Sequence, residues 1–351
     1  MIQSSESPSK SSGNNPSTQS RAIVAAAVAT AAASFTYAYH LHAPGRSTDF
    51  GQVWFSARAL LDGLNPYLLV GPGQIFEWDW ILFYPATTFV AAIPLSWMPQ
   101  LVASLFFVWI SSWLLTYELT RSGWHKLYLV ASAPFVVAAG AAQWSPLFSA
   151  MLLRPSLGLL AAAKPNLGAA ITLGSDSTRL VVYSMAGALI LLAVSLALMP
   201  EWISYWLANV SRASHLVSPI TRPGGVLVLA ALLRWRRFDA RLVLLLACVP
   251  QTGAWYEALP LLILPETKTE CRVVSMLSSL GYAATLFIPT HSERQFNQDT
   301  ATLMVWFCYL PATWLVLSRQ NRGEIPAFLR LIRRPIRSVS TSRRVDSRGE
   351  S

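Results

Sequence analysis

One carboxylate follows a long apolar segment closely enough to act at a membrane surface. Asp49 stands within the sequence STDFG, residues 47–51, shortly beyond the first apolar run. A carboxylate there could accept a proton as a general base or bind a cation. Asp is also a common N-terminal cap of helices, so a plain capping role is the alternative. The local sequence leaves both interpretations open.

Three further polar residues interrupt segments that are otherwise apolar. Lys164 and Gln143 each divide an apolar run, and Glu257 ends the polar break 251–257. A charge inside an apolar helix is costly, so Lys164 is expected to be paired, to line a polar path, or to reach the membrane surface. Helix halves too short to cross a bilayer are tolerated where they line a cavity. We therefore expect the three breaks to meet at one cavity.

The composition requires a membrane around these residues. Of 351 residues, 53% are hydrophobic and 13% are charged, whereas soluble domains have about 25% charged residues. Six apolar runs of membrane-spanning length cover residues 22–39, 81–98, 101–119, 180–199, 273–289 and 301–317. Such solid runs are typical of helices and not of the alternating strands of membrane barrels. The sequence predicts an all-α, polytopic transmembrane bundle with about 8 to 13 membrane segments, some of them short broken helices.

Charge placement predicts the orientation and argues against nucleic-acid binding. The net charge is +10, and nine arginines lie between Arg319 and Arg348. Basic flanks of this kind remain in the cytoplasm. Phe328 is the one aromatic residue of this tail, whereas single-stranded nucleic acid is bound by several stacking aromatics. We expect a multi-pass protein of the cell membrane with both termini inside and no nucleic-acid partner.

Four regions follow from this orientation. They are a disordered cytoplasmic leader (1–20), a polytopic membrane domain (21–318), an outer loop within that domain (40–79) and a basic cytoplasmic tail (319–351).

The outer loop carries a recognisable motif. Residues 48–67 read TDFGQVWFSARALLDGLNPY. This stretch resembles the opening motif of glycosyltransferase family 87, membrane enzymes of the GT-C type related to polyprenol-phosphate-mannose-dependent mannosyltransferases. The shared elements are Asp-Phe followed by an aromatic residue, an Ala-Arg-Ala-Leu-Leu helix, and Gly-x-Asn-Pro-Tyr.

Further elements resemble the same family in the same order. They are Phe83-Tyr84-Pro85, Ala142-Gln143-Trp144-Ser145, Ala161-Ala162-Ala163-Lys164-Pro165, an outer-loop group of Trp202, Tyr205, Trp206 and Asn209, and Trp255-Tyr256-Glu257. The chain differs from the family pattern at Ala142, where the family has Gly, and at Ser145, Ala86 and Glu257.

The resemblance implies a GT-C fold, a catalytic role for Asp49 and transfer of a hexose, mannose above all, from a polyprenyl-phosphate donor to a glycan or lipid acceptor outside the cell. Asp49 would deprotonate the acceptor, and Lys164, aided by Arg58 or Arg212, would hold the phosphate. It also implies substrate contacts from Gln143, Tyr84, Tyr256 and Glu257. The lipid-linked sugar is the donor substrate, no cofactor and no metal ligand is implied, and dependence on a divalent metal is left open.

Two other functions fit the same residues. Broken helices around a buried lysine also suit a transporter or flippase of a lipid-linked or small anionic solute. A catalytically degenerate relative of the enzymes is the third interpretation.

Overall fold

The computed structural model describes residues 16–42, 47–213, 216–289 and 292–333, and the chain within these ranges is mostly helical. The predicted leader therefore lies outside the described residues up to position 15, and so does the tail from position 334. The α-helices are α1 (Thr18–His42), α2 (Asp49–Leu61), α3 (Ala86–Ser96), α4 (Gln100–Leu119), α5 (Leu127–Val130), α6 (Ala133–Gly140), α7 (Ser145–Met151), α8 (Pro165–Gly174), α9 (Thr178–Leu198), α10 (Trp202–Val210), α11 (Phe238–Cys248), α12 (Lys268–Thr285), α13 (Glu293–Met304), α14 (Leu310–Ser318) and α15 (Ala327–Arg333).

Several shorter elements connect these helices. Long 3₁₀ helices cover Pro155–Ala163, Gly225–Arg234 and Trp255–Ile263, and shorter ones cover Pro66–Leu68, Thr120–Ser122, Trp124–Lys126 and Pro219–Thr221. A π-helical turn, Val305–Tyr309, joins α13 to α14. Two short parallel strands, β1 (Val70–Gly71) and β2 (Phe76–Glu77), lie in the predicted outer loop.

Within the residues that the structure describes, four helices are long and apolar enough to cross a membrane. They are Thr18–His42, Gln100–Ser122, Thr178–Leu198 and Arg294–Ser318. Each matches an apolar run of the sequence, because about 20 residues of helix span the hydrocarbon core. The larger predicted number of membrane segments stays a prediction.

The run 81–98 does not form the membrane-length helix that its composition predicts. Its helix, α3, covers only Ala86–Ser96, and residues 81–85 are not helical, with Pro85 in an extended conformation. Proline disfavours helical backbone in the residue before it, so Tyr84 stays outside the helix.

The three predicted interruptions are present. Residues 141–144 separate α6 from α7, Lys164 separates a 3₁₀ helix from α8, and residues 249–254 separate α11 from the last long 3₁₀ helix.

Helix α4 connects two chemically different ends of the molecule. At its start, the hydroxyls of Thr48 and Ser104 lie 2.9 Å apart. Near its end, buried Glu118 pairs with Arg121 at 3.2 Å and with Arg154 at 3.4 Å. Since a helix rises 1.5 Å per residue, the end bearing Asp49 and the end bearing these arginines are roughly 20 Å apart.

The arginine-bearing end is held together by ion pairs. Asp239, which is buried, accepts from Arg237 at 2.9 Å and from Arg319 at 2.9 Å. Arg319 also contacts Glu266 and Glu270, which precede and begin α12. These contacts tie α11 and α12 to the end of the last membrane-length helix.

Candidate functional site

Asp49 is the first residue of α2, and its carboxylate faces the break between α6 and α7. Thr48 occupies the N-cap position without a side-chain capping bond. The Asp49 amide donates to the carbonyl of Ala141 at 3.1 Å, and the Gln143 amide donates to the Asp49 carboxylate. The capping interpretation of Asp49 is therefore wrong, because its side chain bonds to another element of the fold.

An unusual backbone conformation orients Gln143. Ala142 has a φ of +53°, a left-handed conformation that costs an alanine about 1 to 2 kcal/mol. Glycine adopts this conformation without strain. The turn it makes directs the Gln143 side chain between Asp49 and Lys164.

Lys164 is presented by the turn between a 3₁₀ helix and α8. The hydroxyls of Thr87 and Thr88, at the start of α3, donate to the carbonyls of Ala162 and Ala163. These carbonyls end the 3₁₀ helix just before Lys164, so α3 fixes the turn. Gly168 allows α8 to fold back closely, since a Cβ there would lie 2.0 Å from the carbonyl oxygen of Ala161.

The ammonium of Lys164 is already paired. Its Nζ lies 2.9 Å from Glu257 Oε1 and donates to Gln143 Oε1 at 3.2 Å. It also lies 5.0 Å from the centre of the Tyr256 ring. Lys164 is 7% exposed and Glu257 is 2% exposed, so water screens this pair little. The sequence expectation that Lys164 is paired or lines a polar path is confirmed.

These residues line one cavity of about 380 Å³, which we call the ion-pair cavity. Its volume suits a small ligand or the head group of a larger one. Its polar lining residues include Asp49, Tyr84, Gln143, Lys164, Tyr256 and Glu257, and its apolar side includes Trp78, Trp80, Ile81, Phe83, Trp206, Val210 and Leu216. The three breaks thus meet at one cavity, as the sequence predicts.

Helix α10 closes part of this cavity. The indole of Trp206 donates to the carbonyl of Phe83 at 2.9 Å, and the side-chain amide of Asn209 donates to the carbonyl of Leu82 at 3.0 Å. These bonds hold the extended segment that leads to Tyr84.

The environment of Asp49 makes its carboxylate more basic. Its pKa is raised from 3.8 to about 6, chiefly by burial and in smaller measure by the charges of Glu257 and Asp79. The bond from Gln143 and the positive charge of Lys164 act in the opposite direction. A carboxylate with a pKa near 6 is ionised at neutral pH yet can still accept a proton.

Two predicted phosphate ligands lie elsewhere. Arg58 is 5.5 Å from the centre of the Trp54 ring and donates to the carbonyl of Ser96 at 3.4 Å. Neither Arg58 nor Arg212 lines the ion-pair cavity. Their role as phosphate ligands stays a prediction.

Gln251 is a buried polar residue of the cavity that sequence reasoning did not select. Its amide nitrogen donates to the Tyr309 hydroxyl at 2.8 Å, while its Oε1 has no hydrogen-bond partner. Glu257 Oε2 is likewise buried and unpartnered. Both oxygens can accept a hydrogen bond from a ligand hydroxyl. The polar break at 251–257 is the sequence feature from which Gln251 could have been selected.

Among the residues that the structure describes, no group of three or more His, Cys, Asp or Glu side chains could hold a metal ion. Comparison of the chain with protein-family models, curated proteins and solved structures finds no match.

Proposed function

We propose that this protein is a polytopic, GT-C-like glycosyltransferase of the cell membrane. It would move a hexose, mannose above all, from a polyprenyl-phosphate donor to a glycan or lipid acceptor on the outer face. The observation that carries this proposal is the half-buried carboxylate of Asp49, held by Gln143 beside a lysine in a cavity with an apolar side. The family-87 motif around Asp49 supports the same chemistry.

In this reaction Asp49 takes the proton of an acceptor hydroxyl. The acceptor oxygen then attacks the anomeric carbon of the sugar and forms the new glycosidic bond. The bond from that carbon to the phosphate oxygen breaks, and the polyprenyl phosphate leaves with the electron pair. A base on the acceptor and a positive charge on the leaving group are the two requirements of such a transfer.

Lys164 and the start of α8 would supply the positive charge. Lys164 directly precedes α8, whose N-terminal end also carries a partial positive charge. Asn166, in the first turn of that helix, lines the cavity as well. An incoming phosphate would compete with Glu257 for the ammonium of Lys164, so donor binding and rearrangement of this ion pair are linked.

The apolar side of the cavity suits the lipid part of such a donor. Trp206, Val210 and Leu216 line it next to Phe83. Polyprenyl chains are as apolar as lipid tails, so they can pass from the bilayer to such side chains without exposing apolar surface to water.

The orientation proposed here places Asp49 outside the cell and the arginine-bearing end inside. Basic residues mark the cytoplasmic side of membrane proteins, and Arg121, Arg154 and Arg319 all belong to the end away from Asp49. After removal of the native cysteines, Asn65→Cys should react with an impermeant reagent in intact cells, whereas Ser340→Cys should not. Labelling at position 340 but not at position 65 would show that the orientation is the reverse of the proposed one.

The transfer itself is tested with purified protein and radiolabelled polyprenyl-phosphate sugars. Wild-type protein should transfer the label to an acceptor, and Asp49→Asn should not. Equal transfer by both proteins would remove Asp49 from the mechanism.

The transporter alternative makes a different prediction in the same preparation. A buried ion pair between broken helices would also suit a carrier of an anionic solute. Movement of the lipid-linked sugar across reconstituted vesicles, with no sugar transferred, would favour that function over ours.

A further inference from the structure

A second cavity meets the ion-pair cavity at Asp49. It encloses about 410 Å³ and is lined from the end of α1, the start of α2, the residues after β2 and the first half of α13. Five residues line both cavities: Asp49, Trp78, Trp80, Thr252 and Tyr256. The catalytic carboxylate of the proposed function therefore borders two separate spaces.

The two cavities differ in charge. Asp49, Glu77 and Asp79 line the second one, and no Lys or Arg does so among the residues that the structure describes. Glu77 and Asp79 are exposed, so they form an edge that water reaches. We call this space the acid-lined cavity. The ion-pair cavity contains Lys164 instead.

Two buried nitrogen atoms of the acid-lined cavity lack a partner. The amide nitrogen of Asn297 and the Nδ1 of His40 are shielded from solvent and make no hydrogen bond. A buried donor without a partner costs about 1 to 3 kcal/mol. Such atoms are therefore expected to bond to a ligand or to ordered water. Asn297 is held there by its backbone, which packs closely against Gly253.

We propose that the acid-lined cavity binds the acceptor as an uncharged, polyhydroxylated molecule, an oligosaccharide end, and disfavours anionic acceptors. This inference rests on the proposed function. Sugar hydroxyls can donate to the carboxylates and can accept from the Asn297 amide. Trp78, Trp80 and Tyr39 offer apolar ring surface to the sugar. A sulfate or phosphate on the acceptor would meet Glu77 and Asp79 as like charges, which is unfavourable.

The same charge difference separates the two substrates. A donor carries a phosphate, which the carboxylates of the acid-lined cavity repel and Lys164 attracts. Donor and acceptor would therefore approach Asp49 through different cavities. The hydroxyl that is to be deprotonated enters beside Glu77 and Asp79, and the sugar carbon enters beside Lys164.

The test compares two acceptors that differ only in charge. Transfer to mannotriose and to monosulfated mannotriose is measured with wild-type protein at low salt. We expect the neutral trisaccharide to be preferred by about tenfold in kcat/KM, and added salt should reduce the preference because the edge is exposed. Glu77→Gln/Asp79→Asn should reduce the ratio by about threefold or more. Asp62→Asn, an exposed carboxylate of the same loop that lines neither cavity, should leave the ratio unchanged.

Failure of this inference and failure of the proposed function give different results. Transfer to the sulfated trisaccharide at a rate equal to or higher than that to the neutral one would overturn the inference. The proposed glycosyltransferase function would be unaffected. If wild-type protein transfers no sugar, binding of both trisaccharides is measured by tryptophan fluorescence. Suppose that the wild-type protein binds the neutral trisaccharide more tightly and that Glu77→Gln/Asp79→Asn reduces this preference. The charge selectivity of the acid-lined cavity would then be supported even though the protein transfers no sugar. Equal binding, or none, would overturn it.

Discussion

Lys164 Nζ lies 2.9 Å from Glu257 Oε1 in the interior of the protein. The cation expected to hold a phosphate is thus neutralised when the cavity is empty of donor. Removing one member of a buried ion pair leaves the other charge uncompensated, which costs about 3 to 5 kcal/mol. Under the proposed function Lys164 would therefore matter for both stability and donor binding, and a double variant can separate the two.

Lys164→Met should lower the free energy of unfolding by about 3 to 5 kcal/mol, because Glu257 then stays buried without its partner. Lys164→Met/Glu257→Leu should recover most of this loss, since neither charge remains. Thermal unfolding in detergent measures both. Donor binding should be absent from the single and the double variant alike. A double variant that binds donor as wild-type protein does would show that Lys164 is no phosphate ligand.

Asp49→Asn should reduce transfer by about 10²- to 10⁴-fold, because asparagine keeps the shape of the side chain but cannot accept the proton. Asp62→Asn is the matched control. Asp62 is the exposed C-cap of α2, where its backbone amide bonds to the carbonyls of Arg58 and Leu60, and it should keep activity within about tenfold. The measurement is steady-state transfer at saturating donor. A larger loss in Asp62→Asn would move catalysis to the end of α2.

The pH profile of kcat/KM should follow the ionisation of Asp49. Its pKa is raised to about 6, and the base must be ionised to act. Transfer should therefore be maximal above pH 6 and fall by about tenfold per pH unit below it. Gln143→Leu removes a hydrogen bond that lowers this pKa, so the fall should begin at a higher pH. A profile that is flat between pH 5 and 7 would contradict the assignment.

Ala142→Gly should be tolerated, because its left-handed backbone favours glycine. Glycine relieves backbone strain in the folded state, which stabilises the protein, but it makes the unfolded chain more flexible, which destabilises the protein. Because these two effects oppose each other, we expect the free energy of unfolding to change by no more than about 1 kcal/mol. Ala142→Val should destabilise the protein by more than that, since a β-branched residue fits this conformation poorly. Thermal unfolding of the three proteins gives the ranking. Equal stability of the valine and glycine variants would remove the backbone explanation.

The sequence predicts the helices well where hydrophobicity determines them. The runs 22–39, 101–119 and 180–199 lie within α1, α4 and α9 or extend past them by one residue. The runs 81–98 and 273–289 are exceptions. In the first, hydrophobicity carries no information about where a proline starts a helix. In the second, α12 ends at Thr285 and is not among the helices apolar enough to cross a membrane. The site was predictable only in part. A lone Lys164 and a lone Glu257 each indicate a missing partner, but which residues pair depends on tertiary contacts.

The acid-lined cavity had no sequence signal at all. Glu77 and Asp79 alternate with the aromatic residues Phe76, Trp78 and Trp80 of a loop, a spacing that predicts no binding site by itself, and Asn297 and His40 lie far apart along the chain. Only the folding of α13 against the residues before the last long 3₁₀ helix brings Asn297 to Asp49 and Thr252. Residues that bind through their position rather than through an unusual local pattern are not identifiable from one sequence.

Because Asp49 borders both cavities, the occupant of the acid-lined one would, under the proposed function, determine what the donor reacts with. If water filled that space, the same carboxylate would activate water, and the lipid-linked sugar would be lost by hydrolysis. Purified protein with donor but no acceptor should slowly release free hexose. An acceptor analogue whose attacking hydroxyl is replaced by hydrogen should suppress this wasteful release by displacing the water. The filled cavity would thus protect the donor as well as supply the nucleophile.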